Sequence, residues 1–112
     1  MKQEEKTIPP CNHTSAGVVV VRDEQLLLIE RQKIPWGYAC PAGHVEDGEE
    51  YVAAAKRELQ EETGLIAVTL DVLYAGTVDN PCRRPGGTWH YWRFYQATAS
   101  GDGSGKFTPR SA

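Results

Sequence analysis

Cysteine is scarce and widely spaced in this chain of 112 residues: Cys11, Cys40 and Cys82 are the only three. Three thiols cannot close a disulfide framework, and no C-x-x-C pair marks a zinc site. His13, His44 and His90 add only scattered donors, so reduced cysteines and no structural zinc are expected. Long apolar runs are missing too. The longest, Ala16 to Val21 and Leu26 to Ile29, fall far short of a membrane span, and the opening MKQEEKTIPP has no apolar core of a secretory signal. These absences predict a cytoplasmic protein with no membrane partner. A basic excess is also lacking: the formal net charge is -3, which argues against a nucleic-acid partner. The length suits one small domain with a modest core and excludes two.

What the chain does have is a concentration of acid. Seven of its fifteen acidic residues, Glu46, Asp47, Glu49, Glu50, Glu58, Glu61 and Glu62, fall within one stretch, Gly43 to Leu65, GHVEDGEEYVAAAKRELQEETGL. Asp47 is a good N-cap, Glu50 stands where a capping box needs it, and Gly64 supplies a left-handed stop, so a helix is predicted over Glu49 to Thr63. At ~100° per residue Glu58, Glu61 and Glu62 share one face, and Val52, Ala55 and Leu59 form an adjacent packing face. Taken singly, glutamates near a helix C-terminus are ordinary solvated charges. Stacked at i, i+3 and i+4 they repel by about a few tenths of a kcal/mol per pair, and the helix dipole adds to the cost. A hard divalent cation removes that repulsion, and Mg²⁺ and Mn²⁺ take oxygen ligands together with substrate phosphates. Glu58, Glu61 and Glu62 are therefore the candidate metal ligands.

The same stretch reads Gly43, five residues, Glu49, seven residues, then Arg57-Glu58-Leu59-Gln60-Glu61-Glu62-Thr63-Gly64-Leu65. It resembles the Nudix box, Gly-x5-Glu-x7-Arg-Glu-U-x-Glu-Glu-x-Gly-U with U a bulky aliphatic, at every fixed position. A pattern with so many specified positions at fixed spacing is highly specific. The resemblance implies a mixed β-sheet of the α/β (α+β) class with the box loop and helix on one face. It also implies a metal-dependent hydrolase that cleaves the diphosphate linkage of a nucleoside diphosphate-type small molecule, with Mg²⁺ or Mn²⁺ as cofactor. By the same resemblance the carbonyl of Ala42 or Gly43 is a further metal ligand, and Arg57 orients a box glutamate through a charge-assisted pair. Glu49 acts through water or holds a neighbouring box residue in place. Arg57 also has a simpler reading, as an i,i+4 surface partner of Glu61.

Around the box the chain reads as strands. Residues 1–14, with Pro9-Pro10, form a polar arm; 15–99 form the domain; 100–112, opening SGDGSG, form a flexible tail with one large apolar residue, Phe107. Ala16 to Arg22 and Gln25 to Arg31 are β-rich runs joined by a polar turn at Asp23-Glu24, a hairpin of two central strands. Gln32 to Tyr38, which includes Trp36, is a loop, and Ala39 to Pro41 a short strand. Leu65 to Gly76 is a strand that bends or bulges, with Thr77-Val78 as its extension. Asp79 to Gly87, DNPCRRPGG, is a surface loop whose Arg83 and Arg84 are candidates for substrate phosphate. Thr88 to Ala99 is the last strand, with Trp89, Tyr91, Arg93 and Tyr95 alternating against His90, Trp92, Phe94 and Gln96. Trp89 and Tyr91 are candidates for stacking a nucleobase, with core filling as the plainer use of such aromatics.

Two departures from the family stand out. Nothing after Ala99 has helical periodicity, so the α/β/α sandwich is truncated on one face, and a homodimer is the simplest cover for apolar strands left bare. Some family members also recruit a glutamate downstream of the box, whereas only Asp71, Asp79 and Asp102 follow Glu62 here. The base then comes from the box, or from Asp79 or Asp102. An incomplete pocket keeps a second reading open, a binding or regulatory module that holds nucleotide and metal without efficient turnover.

Overall fold

The computed structural model describes residues 9–30 and 37–101, and the backbone of 106–109. Trp36, Asp102 and the side chain of Phe107 lie outside the described residues, as do most of the predicted arm and tail. Chain order is β1 (Thr14–Arg22), β2 (Gln25–Glu30), β3 (Tyr38–Ala39), β4 (Ala42–His44), α1 (Tyr51–Thr63), β5 (Ile66–Val78), β6 (His90–Ser100) and β7 (Lys106–Pro109). The sheet runs β3-β2-β1-β6-β5, with β4 also on β1 and β7 on β2. β1 and β6 are parallel, the other pairs antiparallel. This mixed sheet with one described helix is the expected α+β class.

The β1-β2 hairpin turns on Asp23 and Glu24, whose φ values of 52° and 62° are both positive, as in the two-residue turn that matches the right-handed twist of paired strands. β1 is the strand covered on both faces. Ala16, Val18 and Val20 enter the core with Ala54, Ala55 and Leu59 of α1 and with Leu27, Tyr95 and Ala97. On the opposite face the Phe94 ring lies directly over Gly17, where any Cβ would collide with it, and Trp92 stacks on Phe94 with centroids 4.9 Å apart. Two aromatics of β6 thus supply part of the cover that no described helix provides. β2 is less central than its LLLI run predicts: only Leu27 of the four is buried.

Helix α1 begins later than predicted. Its N-cap is Glu50, in extended conformation and without a side-chain capping bond, so the Asp47/Glu50 capping box does not form. Asp47 and Gly48 instead form a tight turn, and Glu49 folds back so that its carboxylate accepts the Glu46 N–H at 3.0 Å. The predicted stop is present: Gly64 has φ 81° and donates its N–H to the Gln60 carbonyl at 2.8 Å. Val52, predicted to pack, is 41% exposed. It shares the angular sector of Leu59 but lies in the first turn, ahead of the buried residues Ala54, Ala55 and Leu59.

β5 bulges at two places, between Ala67 and Thr69 and between Val72 and Tyr74. At the second bulge Val72, Leu73 and Tyr74 are all exposed, and Leu73 is the extra residue with no partner on β6. Two segments are more ordered than composition predicts. Lys106–Pro109, within the predicted tail, pairs antiparallel with β2, and residues 11–14 of the predicted arm are tied to the domain. The Cys11 N–H reaches the Pro85 carbonyl at 2.8 Å, and the His13 carbonyl accepts the Tyr91 N–H at 2.8 Å.

Candidate active site

The box glutamates are held between α1 and β4. On the helix wheel Glu58 and Glu62 fall inside the sector that also carries Ala54, Ala55 and Leu59, so they face the sheet, while Glu61 lies at the edge of that sector. Exposure follows: the Glu58 side chain is 12% exposed and that of Glu61 58%. β4 meets this flank with Ala42 and Gly43, whose positions are fixed by pairing with Gly17 and Ala16 of β1. Gly43 is required here, because the Glu58 carboxylate lies where its Cβ would be.

Glu58 and Glu62 are within hydrogen-bonding reach of each other, and the Ala42 backbone hydrogen-bonds Glu62. Burial first, and then the neighbouring Glu58 carboxylate, push Glu62 up to about 8. Two carboxylates so placed share a proton or share a cation. A pair of hard oxygen donors beside strand backbone fits Mg²⁺ or Mn²⁺. Glu61 does not join them: its carboxylate is turned to Arg57 at 3.3 Å.

Arg57 organises the remainder. Its Nε and Nη2 donate to the two carboxylate oxygens of Glu49 at 2.8 and 3.0 Å, Nη1 donates to Glu58 at 2.8 Å, and Nη2 donates to the His44 carbonyl at 2.9 Å. The guanidinium therefore locks the box loop, β4 and the helix into one unit, a planar fork that lysine cannot reproduce. The hydrogen bonds from Arg57 hold the Glu49 carboxyl below its ordinary value, and Glu49 in turn raises that of Arg57. The contact with Glu61, read from spacing as a simple i,i+4 pair, is the longest of the set.

The other candidates scatter. Arg84 pairs with Glu46 of the box loop at 3.5 Å, whereas Arg83 is exposed on the same loop. Trp89 stacks on His13 with centroids 3.8 Å apart and remains 42% exposed. Tyr91 meets Tyr51 edge-on at 6.0 Å, and the Arg93 guanidinium sits over the Tyr51 ring at 4.5 Å, a cation-π contact at the start of α1 that the sequence did not single out. Asp71 and Asp79 are exposed. The histidines and cysteines, expected to be scattered, are not: Cys11, His44, Cys82 and His90 converge, with donor atoms all within 4.8 Å of one another. Nothing in their spacing signals this, because four separate segments contribute one residue each.

Comparison with known proteins agrees with this geometry. The NUDIX domain model matches residues 12–110. Nudix hydrolase 25 of Arabidopsis thaliana is 34% identical over 95 residues, which cover 76% of this chain and 54% of that protein. ADP-ribose pyrophosphatase of Methanocaldococcus jannaschii is 39% identical over 71 residues, 62% of this chain and 41% of that protein. The chain thus spans about half the length, or less, of these curated relatives. In fold, a NUDIX hydrolase structure from Nitrosomonas europaea superposes with a TM-score of 0.72 at 21% identity, covering 88% of this chain and 73% of that one. A complete box on the expected loop and helix, a matching domain model over nearly all of the chain and the shared fold together mean that this protein belongs to the Nudix family.

Proposed function

We propose that the protein is a pyrophosphohydrolase that cleaves the diphosphate linkage of a small nucleoside diphosphate-type substrate with the help of Mg²⁺ or Mn²⁺. The observation that carries this reading is the close pair of partly buried carboxylates, Glu58 and Glu62, set against Ala42 and Gly43. Glu58, Glu62 and the Ala42 carbonyl would hold the ion, with the more exposed Glu61 completing the set once its contact with Arg57 is released. When bound, the ion neutralises phosphate charge and lowers the pKa of coordinated water.

The chain's own residues do the positioning that dominates such chemistry. Arg57 keeps the Glu58 carboxylate pointed at β4, and Glu49 keeps Arg57 in place. Gly43 keeps the space between strand and helix open for that carboxylate. Arg83, exposed on the loop after β5, is available for the substrate's second phosphate, while Arg84 serves the box loop through Glu46. Trp89, just before β6, has one ring face on His13 and offers the other to a base, with Tyr91 two residues on in β6.

Relatives named for ADP-ribose and ADP-sugars make those compounds the first to try. A panel of ADP-ribose, ADP-sugars, dinucleoside polyphosphates and nucleoside triphosphates, assayed for phosphate or phosphate-ester release with and without Mg²⁺, tests the reading. Metal-dependent turnover of at least one is expected. Tight nucleotide binding with no turnover of any would favour the regulatory-module reading instead. In assembly, the exposed Val68, Val72 and Leu73 of β5 support a homodimer in which a second copy covers that strand. Light scattering that returns the monomer mass at all concentrations would exclude it.

A further inference from the structure

Four side chains that the hydrolase site does not use meet on the far side of β4. The Cys11 Sγ lies 3.2 Å from the His90 Nε2 and 3.7 Å from the His44 Nε2, and Cys82 completes a group whose four donor atoms all fall within 4.8 Å. Tetrahedral zinc with bonds of about 2.3 Å to sulfur and 2.0–2.1 Å to nitrogen sets ligand atoms roughly 3.3–3.8 Å apart. The observed separations need only small side-chain adjustment to meet that. Two sulfurs and two imidazole nitrogens are the donor set that selects zinc over hard cations.

The surroundings are built for ligation. Asn80 Oδ1 accepts from Trp92 Nε1–H at 3.1 Å and lies 3.1 Å from His90 Nδ1, so Nδ1 carries the proton and the Nε2 lone pair points at the cluster. An outer carbonyl that fixes the tautomer of a ligating histidine is the usual companion of a metal-bound imidazole. Each sulfur also accepts a backbone N–H, Cys11 from His13 at 3.2 Å and Cys82 from Arg84 at 3.3 Å, so the backbone holds both sulfurs in place. His13 reaches this geometry with φ 60°, a left-handed conformation that a non-glycine residue rarely adopts. The loop closes over Cys82 through Gly87, where any Cβ would strike the sulfur.

We propose that Cys11, His44, Cys82 and His90 form a structural zinc site. It ties the segment before β1, the end of β4, the loop after β5 and the start of β6 into one knot. With four protein ligands it leaves no open position, and its role is to hold rather than to react. It also bears on the box: the His44 side chain ligates while the His44 carbonyl receives Arg57. The zinc site stands independently of the proposed hydrolysis, since none of the four side chains takes part in the carboxylate site and only the His44 backbone carbonyl is shared.

The test is metal analysis of the full chain purified without chelator, followed by exchange into Co²⁺. One tightly held zinc per chain is expected, with the intense visible bands and sulfur-to-metal absorption of tetrahedral cobalt thiolate. A variant with both Glu58→Gln and Glu62→Gln should keep both signals, which separates this site from the box. Cys40→Ser should keep them as well, and Cys82→Ser should lose them. Asn80→Ala retains every ligand, so it should still bind, with an affinity in chelator competition weaker by about 10- to 100-fold. Should Cys82→Ser fail to fold, the parent's cobalt spectrum and the Asn80→Ala competition decide alone. A parent protein without zinc and without cobalt-thiolate bands, or one in which Cys11 and Cys82 are found as a disulfide in place of metal, overturns the proposal.

Discussion

The two polar clusters of this protein lie on either side of β4 and were assembled in opposite ways. Glu49, Arg57, Glu58 and Glu62 come from one continuous loop and helix, so ideal helix geometry alone nearly places them. Cys11, His44, Cys82 and His90 come from four segments and meet only because β1 pairs with both β4 and β6, in registers Ser15↔His44 and Ser15↔Trp92. The first cluster is negative, its carboxylates crowded and joined by a cation or a proton. The second is soft and closed. A site written within one helix can be found by spacing, and a site written across a sheet needs the register. His44 belongs to both, through its ring on one side and its carbonyl on the other.

Substitutions can break each side of that comparison. Among single substitutions the largest effect is expected from Gly43→Ala, because the new Cβ displaces the Glu58 carboxylate. A shift of about 1 Å at a positioning site can cost ~10²-fold in turnover, so steady-state rates should fall by about that factor while circular dichroism stays that of the parent. Arg57→Lys comes next. The charge remains but the fork that grips Glu49, Glu58 and the His44 carbonyl is lost, and a fall of about 10- to 100-fold in kcat or in Mg²⁺ affinity is expected from kinetics and calorimetry. The smallest effect belongs to Arg84→Ala, measured by thermal melting. Its pair with Glu46 spans 3.5 Å and the Glu46 side chain is 55% exposed, so the loss of stability should stay below about 1 kcal/mol. A larger loss would mean that the Cys82 loop depends on Arg84 more than its geometry indicates.

What could be read from sequence follows the same divide. The box, the Gly64 stop, the Asp23-Glu24 hairpin and the bulged strand are local events, set by backbone chemistry within a few residues. The capping box failed because Glu49, an ideal helix residue by propensity, is engaged instead by Arg57 and by the Glu46 N–H, which delays the helix to Tyr51. Both the helix angle and the box pattern group Glu61 with Glu58 and Glu62, and only burial, 12% exposed for Glu58 against 58% for Glu61, sets it apart. The strand at Lys106–Pro109 was hidden because an edge strand takes its stability from the neighbour it pairs with, here β2, rather than from an apolar pattern of its own. Trp92 and Phe94 read as generic aromatics until the register placed Phe94 beside Gly17.

The proposed hydrolase centre rests on Glu58 and Glu62 holding a divalent cation between them. The most direct measurement is the Mg²⁺-dependent turnover of the Glu58→Gln, Glu62→Gln double variant, on whichever diphosphate the parent cleaves. Glutamine keeps the shape and removes the charge, so turnover should drop by at least ~10²-fold, the order lost when one preorganised electrostatic group is removed. The double variant should also lose the stabilisation by Mg²⁺ expected of the parent, about 2.7 kcal/mol at ~100 times the dissociation constant. Hydrolysis at the parent rate by the double variant, with Mg²⁺ present, would contradict a catalytic cation site at Glu58 and Glu62.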